Sequence, residues 1–443
     1  MHNAHNQLTA LKPFTTPMST STAYAERFPN LTDKTFFSRL PETQQTFLRE
    51  QAKQYRFSHQ QLRQLAEIAL DLNLWESGDI TTIWPGPDAL TGQGKARAQQ
   101  LLQHITARWE QLRETPNRYP RSGSKTRISA AAIPVEKTKG KLGLGYCPVA
   151  SPKTRCCNLL TLDAVDNCGY GCSYCSIQSF YDGKEISFDR DFARKLEALE
   201  IDPDKIYHIG TGQSSDSLMW GNSHGVLDAL LDFARRHPNV ILEFKTKSAN
   251  VKHLLENDLP ANVICTWSLN TPTLIENEEH GTAPLHKRIA AARAIADKGG
   301  IVGFHFHPMV HYDAWKEDYR AVIQTLTSQF HPDEVALVSL GTLTYIKPVM
   351  REIRERGVAT QILKMPLVDA EGKYSYPDDI KLDMFSHAYH SFPAAWKENV
   401  FYYLCMENQR FWEPVFGFSY GSNTEFEQAM KSAYLKKIRA RGD

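Results

Sequence analysis

Downstream of residue 158 the chain alternates short apolar runs with longer amphipathic ones. Runs at Asn158–Val165, Lys205–Thr211, Val240–Thr246, Val263–Asn270, Ile301–Pro308 and Glu334–Leu340 are rich in β-branched and aromatic residues and predict strands. Between them Val226–Arg236, Pro284–Lys298 and Ala314–Ser328 carry apolar positions at helical spacing. Strand–helix alternation of this kind predicts an α/β fold, a partial (β/α)6 TIM-type barrel over residues 158–358. Reactive groups on such a barrel gather at the C-terminal strand ends.

Side chains alternate along a strand, so parity separates the lumen from the helix-facing layer. In Leu242 to Lys247, the charged set Glu243, Lys245 and Lys247 shares one face, opposite Leu242 and Phe244. Charges rarely face a packed helix layer, so this set points into a polar cavity. By the same rule Thr266, Ser268 and Asn270 face inward, while Cys265 joins Trp267 and Leu269 in the core. His305 and His307 face the lumen and Phe304 and Phe306 the helices. The turn Gly210-Thr211-Gly212-Gln213-Ser214-Ser215-Asp216 follows the second strand. Its glycines permit close backbone approach to a ligand, and its carbonyls suit an ammonium group.

Upstream, residues 32–115 read as helical. Ser58 with Gln61 three residues on marks a helix start, and Leu62, Leu65, Ala69 and Leu72 define its apolar face. With Phe47–Tyr55 this makes a helix–turn–helix-like pair, either two helices of a small bundle or a DNA reader. Residues 1–31 read as a loose polar tail, 116–157 as a basic linker and 359–443 as an extension that closes the barrel. From Arg108 to Arg155 eleven Lys or Arg stand against three Glu, a solvated run or a phosphate contact.

Composition narrows the classes. Across 443 residues the formal net charge is +1, so no global charge advertises nucleic acid. No apolar run approaches the ~20 residues of a bilayer span, so no membrane is expected. Eight cysteines are too few for a secreted disulfide scaffold, which favours the cytoplasm.

Three of those cysteines, Cys168, Cys172 and Cys175, lie in Asn167-Cys168-Gly169-Tyr170-Gly171-Cys172-Ser173-Tyr174-Cys175. The C-x3-C-x2-C spacing offers three thiolates to a [4Fe–4S] cube and leaves one iron open to an outside molecule. Zinc normally takes four ligands in two C-x2-C knuckles, and no second knuckle follows. Cys147, Cys156 and Cys157 precede the first barrel strand; they are expected at the barrel's other end, as structural thiols or ligands of a second metal.

The loop resembles the signature of the radical S-adenosylmethionine enzymes. Further blocks resemble the spore photoproduct lyase family within that group: Thr211 to Asp216, Thr246-Lys247, Trp267 to Asn270, Glu279 to Arg288, Gly303 to Pro308 and Trp315 to Tyr319. The likeness covers residues 158–326. It implies a [4Fe–4S] cluster on Cys168, Cys172 and Cys175, and S-adenosylmethionine held by Gly210, Thr211, Gly212, Gln213, Ser214, Lys247, Ser268, Asn270 and His305. It also implies an external electron donor such as flavodoxin or ferredoxin, and repair of thymine photoproducts in damaged DNA.

Two positions depart from that family. Its hydrogen-donating cysteine falls at Gln213, whose amide is no useful hydrogen-atom donor. Its tyrosine after the third cluster cysteine is replaced by Ser176, although Tyr174 is kept. Tyr174, Gln213 and Cys405 are therefore the catalytic candidates, Cys405 as a replacement thiol. DNA phosphates are expected on the basic linker and on Lys436, Lys437, Arg439 and Arg441. Two rival readings stand: radical chemistry on RNA, a peptide or a small metabolite, and an iron–sulfur DNA-binding redox sensor.

Overall fold

The computed structural model describes residues 20–120, 134–147, 153–181 and 185–442. Arg121, Lys125 and Arg127 of the basic linker, and residues 1–19 of the expected tail, lie outside them. The chain forms two compact units, residues 1–112 and 113–443.

In the first unit, α1 (Thr20–Thr32) occupies part of the stretch expected to be a loose tail. Two helices follow, α2 (Glu42–Tyr55) and α3 (His59–Leu74). The Ser58 hydroxyl accepts from Gln61 N and the Gln61 side chain accepts from Ser58 N, so the expected capping box forms. Leu62, Leu65, Ala69 and Leu72 are buried along one face. Helix α4 (Gly94–Glu114) adds buried Ala98, Leu101 and Ile105, and Trp75 stacks on Trp109 with ring centroids 6.0 Å apart.

The second unit is built on one eight-stranded sheet. Its strands are β1 (Gly143–Tyr146), β2 (Leu160–Asp163), β3 (Tyr207–Thr211), β4 (Val240–Thr246), β5 (Val263–Ser268), β6 (Ile301–Met309), β7 (Val335–Thr342) and β8 (Phe401–Leu404). They lie side by side in chain order. Strand β1 is antiparallel to β2, and all later neighbours are parallel. The six expected strands are all present. The sheet gains β8 from the C-terminal extension, where the sequence run leading to Cys405 reads as strand-like. It gains β1 from the basic linker.

Helices α5 (Val226–Arg236), α6 (Leu285–Asp297) and α7 (Trp315–Gln329) join successive strands. Each buries the apolar face its sequence spacing dictates, through residues such as Leu227, Leu230, Ile289, Ile295, Tyr319 and Ile323. Strand parity behaves as expected: Leu242, Phe244, Cys265, Trp267, Phe304 and Phe306 are fully buried. Phe304 meets Phe330, and Phe306 meets Tyr319.

The C-terminal basic cluster is spent differently from the expectation. At the chain end, the helix α8 (Asn423–Gly442) directs Lys437 Nζ to Pro332 O (2.8 Å) and Arg441 to Gly300 O (2.8 Å). Gly300 and Pro332 lie just before β6 and β7. These two cations therefore close loops at the N-terminal strand ends, away from the strand ends where barrel chemistry sits. Among the described residues no helix is long and apolar enough to cross a membrane.

The capping box sets the start of α3. Replacing Ser58 with Ala should lower full-chain stability by about 1 kcal/mol in denaturant unfolding, and Ser58→Asp should restore it.

Candidate functional site

Cys168, Cys172 and Cys175 all line one cavity of ≈ 220 Å³ within the sheet's concave side. Their loop is tied from outside. Arg356 donates to the carbonyls of Gly171 (2.7 Å) and Cys172 (3.1 Å) and to Gln178 Oε1 (2.9 Å). Ser173 N donates to Glu278 O, Gly281 N to Tyr170 O, and the Tyr345 hydroxyl to Tyr174 O. Gly171, at φ +65°, supplies the left-handed turn that brings Cys172 round. Burial pushes the Cys168 thiol up to about 12 and the Cys172 thiol well above its usual range. A positive centre between the three sulfurs would offset that burial, and the donor set is the one iron–sulfur clusters use. The residues fit such a group. Tyr181 adds a hydroxyl 3.5 Å from Cys175 Sγ.

Opposite the loop, the inward faces of β3 to β7 furnish the rest of the lining. Gly210, Thr211, Gly212, Gln213, Lys247, Ser268 and His305 all reach the cavity, as do Tyr174 and Cys405. Gly212 has φ +72°, and a Cβ there would meet Ser217 N at 2.5 Å, so this turn admits only glycine without displacement. Lys247 Nζ lies 5.8 Å from the Tyr174 ring centroid. The Tyr174 hydroxyl donates to Glu279, which also pairs with the buried guanidinium of Arg288. Arg288 in turn donates to Ser268 O (2.9 Å), which fixes the end of β5.

Two expected ligand residues are not on the cavity. Ser214 turns away: its hydroxyl donates to Val165 O (2.8 Å) and its N–H to Asp163 Oδ1 (3.0 Å). Its neighbour Ser215 faces inward instead, with a buried hydroxyl that has no partner. Asn270 is buried and committed, accepting from the Tyr319 hydroxyl (2.7 Å) and donating to Pro308 O (3.1 Å). Both misplacements occur where the chain leaves strand geometry, so strand parity no longer says which way a side chain points.

Asp216 organises the turn. Its carboxylate accepts from Thr246 Oγ1 (2.7 Å) and from the N–H groups of Leu218, Met219 and Lys247. Deeper, Glu243 is clasped by three strands. His208 Nε2 and His305 Nε2 each lie 2.8 Å from one of its oxygens, and Thr266 donates at 2.7 Å. Burial opposes this charge, yet His208 and His305 hold the carboxyl well below its ordinary range. His305 then meets Ser339, and Ser339 meets His307 Nε2 at 3.0 Å. His208 belongs to this set and was missed in the sequence, where it precedes the Gly-rich turn without a charged neighbour.

Cys147 and Cys157 also line the cavity, contrary to their expected place at the barrel's other end. Gln213 Nε2 lies 3.9 Å from Cys147 Sγ. The stretch that joins them to the sheet folds back onto the lining because Cys147 N donates to Leu159 O.

Residues 167–378 match the family model described as spore photoproduct lyase. The spore photoproduct lyase of Geobacillus sp. (strain Y412MC61) is 24% identical over 212 residues, 46% of this chain and 61% of that protein. That of Bacillus subtilis (strain 168) is 30% identical over 137 residues, 30% of this chain and 39% of the relative. The chain thus spans less than two thirds of the length of these curated relatives. Among solved structures, a spore photoproduct lyase complexed with dinucleoside spore photoproduct is similar with TM-score 0.50 at 20% identity, covering 66% of this chain and 88% of that one. A mutant lyase with bound AdoMet and dinucleoside spore photoproduct gives TM-score 0.51 at 19% identity, covering 69% and 94%. These likenesses show the fold, a partial TIM barrel.

Burial, then Lys245, lowers the His305 pKa to about 4, against the raising effect of Glu243. The folded value lies below the unfolded one, so the unfolded chain takes up a proton that the folded chain refuses. This stabilisation is complete above the unfolded value of about 6.5 and fades as pH falls toward the folded value. Unfolding free energy should drop by roughly 2 kcal/mol between about pH 7.5 and about pH 5. Denaturant titrations of His305→Gln should show a shallower slope; an unchanged slope would assign the dependence to other groups.

Proposed function

We propose that this chain, a member of the spore photoproduct lyase-like family, is a radical S-adenosylmethionine enzyme that repairs thymine photoproducts in DNA. The observation that carries the reading is the meeting, on one cavity wall, of the three loop cysteines with the Gly210–Gln213 turn, Lys247 and Ser268. Cys168, Cys172 and Cys175 hold the [4Fe–4S] cluster. A reduced cluster held there, with S-adenosylmethionine bound beside it, would supply one-electron reductive cleavage of a sulfonium, releasing methionine and enabling hydrogen-atom abstraction from substrate.

The chain's own residues do the positioning. Lys247, whose ammonium lies 5.8 Å from the ring centroid of the loop tyrosine Tyr174, receives the cosubstrate's carboxylate. The carbonyls of the Gly210–Gln213 turn face its amino group, and the unpartnered Ser215 hydroxyl replaces Ser214 as a polar contact. Ser268, fixed through Arg288, supports the nucleoside side. Tyr170, Tyr174 and Tyr345 wall the cavity beside the cysteine loop.

Gln213 acts as a positioning residue beside Cys147 rather than as a hydrogen donor. Extruded, damaged bases are the cheapest to capture from a duplex, because damage weakens their stacking and pairing. The electron comes from an external one-electron carrier of the flavodoxin or ferredoxin kind, which places the enzyme in the reducing cytoplasm.

The test uses anaerobically reconstituted protein, a chemical reductant, S-adenosylmethionine and DNA carrying the spore photoproduct. Deoxyadenosine and restored thymines should appear together, and Cys168→Ala should abolish both. Deoxyadenosine without any change in the DNA would favour the reading in which the substrate is an RNA, a peptide or a small metabolite.

A further inference from the structure

The first segment of interest is the one that leads into β2. Thr154 forms an antiparallel bridge with Asn408, just after β8. Arg155 N donates to Glu407 O (3.2 Å), and its guanidinium donates to Tyr420 O (2.9 Å) and Gly421 O (2.8 Å). Cys156 N donates to Asn423 Oδ1 (3.1 Å). Strands β2 and β8 stand near opposite ends of the open sheet, with only β1 beyond β2. These contacts therefore draw the two ends of the sheet toward each other and form a seam.

Four of the five cysteines outside the loop gather at this seam. Cys147 follows β1, Cys156 and Cys157 precede β2, and Cys405 follows β8 with its N–H on Leu340 O (2.8 Å). Cys147, Cys157 and Cys405 share the cavity wall, and Cys156 is the chain neighbour of Cys157. The fifth, Cys265, is an ordinary core residue without exposure. Four half-buried soft ligands from three separate segments are a costly choice if packing were their only purpose, since alanine or valine would fill the space without a reactive thiol. Among the described residues no three His, Cys, Asp or Glu side chains close on a point as ligands of one metal ion would. A cube needs no such convergence, because each thiolate takes a different iron.

We propose that Cys147, Cys156, Cys157 and Cys405 hold a second iron–sulfur cluster, of the [4Fe–4S] class, which clamps the seam of the barrel beside the reaction cavity. With four thiolates it has no open iron, so it is distinct in kind from a cluster on the three-cysteine loop. It crosslinks the β1–β2 end of the sheet to the β8 end through metal–sulfur bonds, where the described backbone contacts are the Thr154–Asn408 bridge and the Arg155 N to Glu407 O bond. Gln213, which lies against Cys147, then touches a cluster ligand and is the route by which the second cluster contacts the turn after β3.

Iron and acid-labile sulfide counting on anaerobically reconstituted full chain tests this, beside electron paramagnetic resonance of the reduced protein. About eight irons and eight sulfides are expected per chain. The Cys147→Ala/Cys405→Ala double variant should hold about four, with one of two resonance signals lost. The Cys168→Ala/Cys172→Ala/Cys175→Ala variant leaves the seam intact and should also hold about four, so the proposal does not depend on the double variant folding. A count near four in the unsubstituted chain, an unchanged count in the double variant, or an iron-free loop variant would each overturn it. Failure of the radical reading has a separate signature: deoxyadenosine is not formed, whatever the seam contains.

Discussion

Three sulfurs share one inorganic cube only if the loop that bears them keeps a fixed curve, and here that curve is imposed from outside the loop. Arg356 grips two loop carbonyls, Glu278 O and Tyr170 O form backbone bonds across to the neighbouring segment, and Tyr345 caps Tyr174 O. These groups come from stretches more than a hundred residues away in sequence. The rest of the barrel is arranged around that fixed edge: Glu279 joins the loop tyrosine to Arg288, and Arg288 joins both to the end of β5. Removing one member would leave a buried charge uncompensated, which is far more costly than the pair is worth when complete.

The lumen obeys the same logic of compensated charge. Glu243 is tolerable at the centre of the barrel because β3, β5 and β6 each bring it a partner. With its two oxygens so occupied, Glu243 leaves the Lys245 and Lys247 side of the cavity free of a competing carboxylate contact. A carboxylate or phosphate entering from outside finds cations there and carboxylates already spoken for. That is the electrostatic preparation the carboxylate of the cosubstrate requires.

How far the sequence was legible follows from which regularities have a fixed period. Strand parity correctly sent Glu243, Lys245, Lys247, Ser268, His305 and His307 into the cavity and Cys265 into the core. It failed at Asn270, past a strand end, where the Pro308 carbonyl decides orientation; Ser214, taken from the family resemblance, lies in a turn where the Asp163 carboxylate and the Val165 carbonyl hold it away from the cavity. The seam cysteines were misplaced because their position depends on a pairing of residue 154 with residue 408, a long-range contact without local signature. The C-terminal lysines and arginines looked like a phosphate patch by composition. Lys437 and Arg441 instead satisfy loop carbonyls at the barrel's N-terminal end.

The most direct test of the account is whether an iron in the three-cysteine site is bound by the cosubstrate itself. Electron–nuclear double resonance on the reduced protein, with S-adenosylmethionine isotopically labelled in its carboxylate and amino groups, reads that contact. The account predicts hyperfine coupling from both labels to the cluster, lost when Cys172 is replaced by Ala. Absence of coupling in a fully loaded, reduced protein would contradict it.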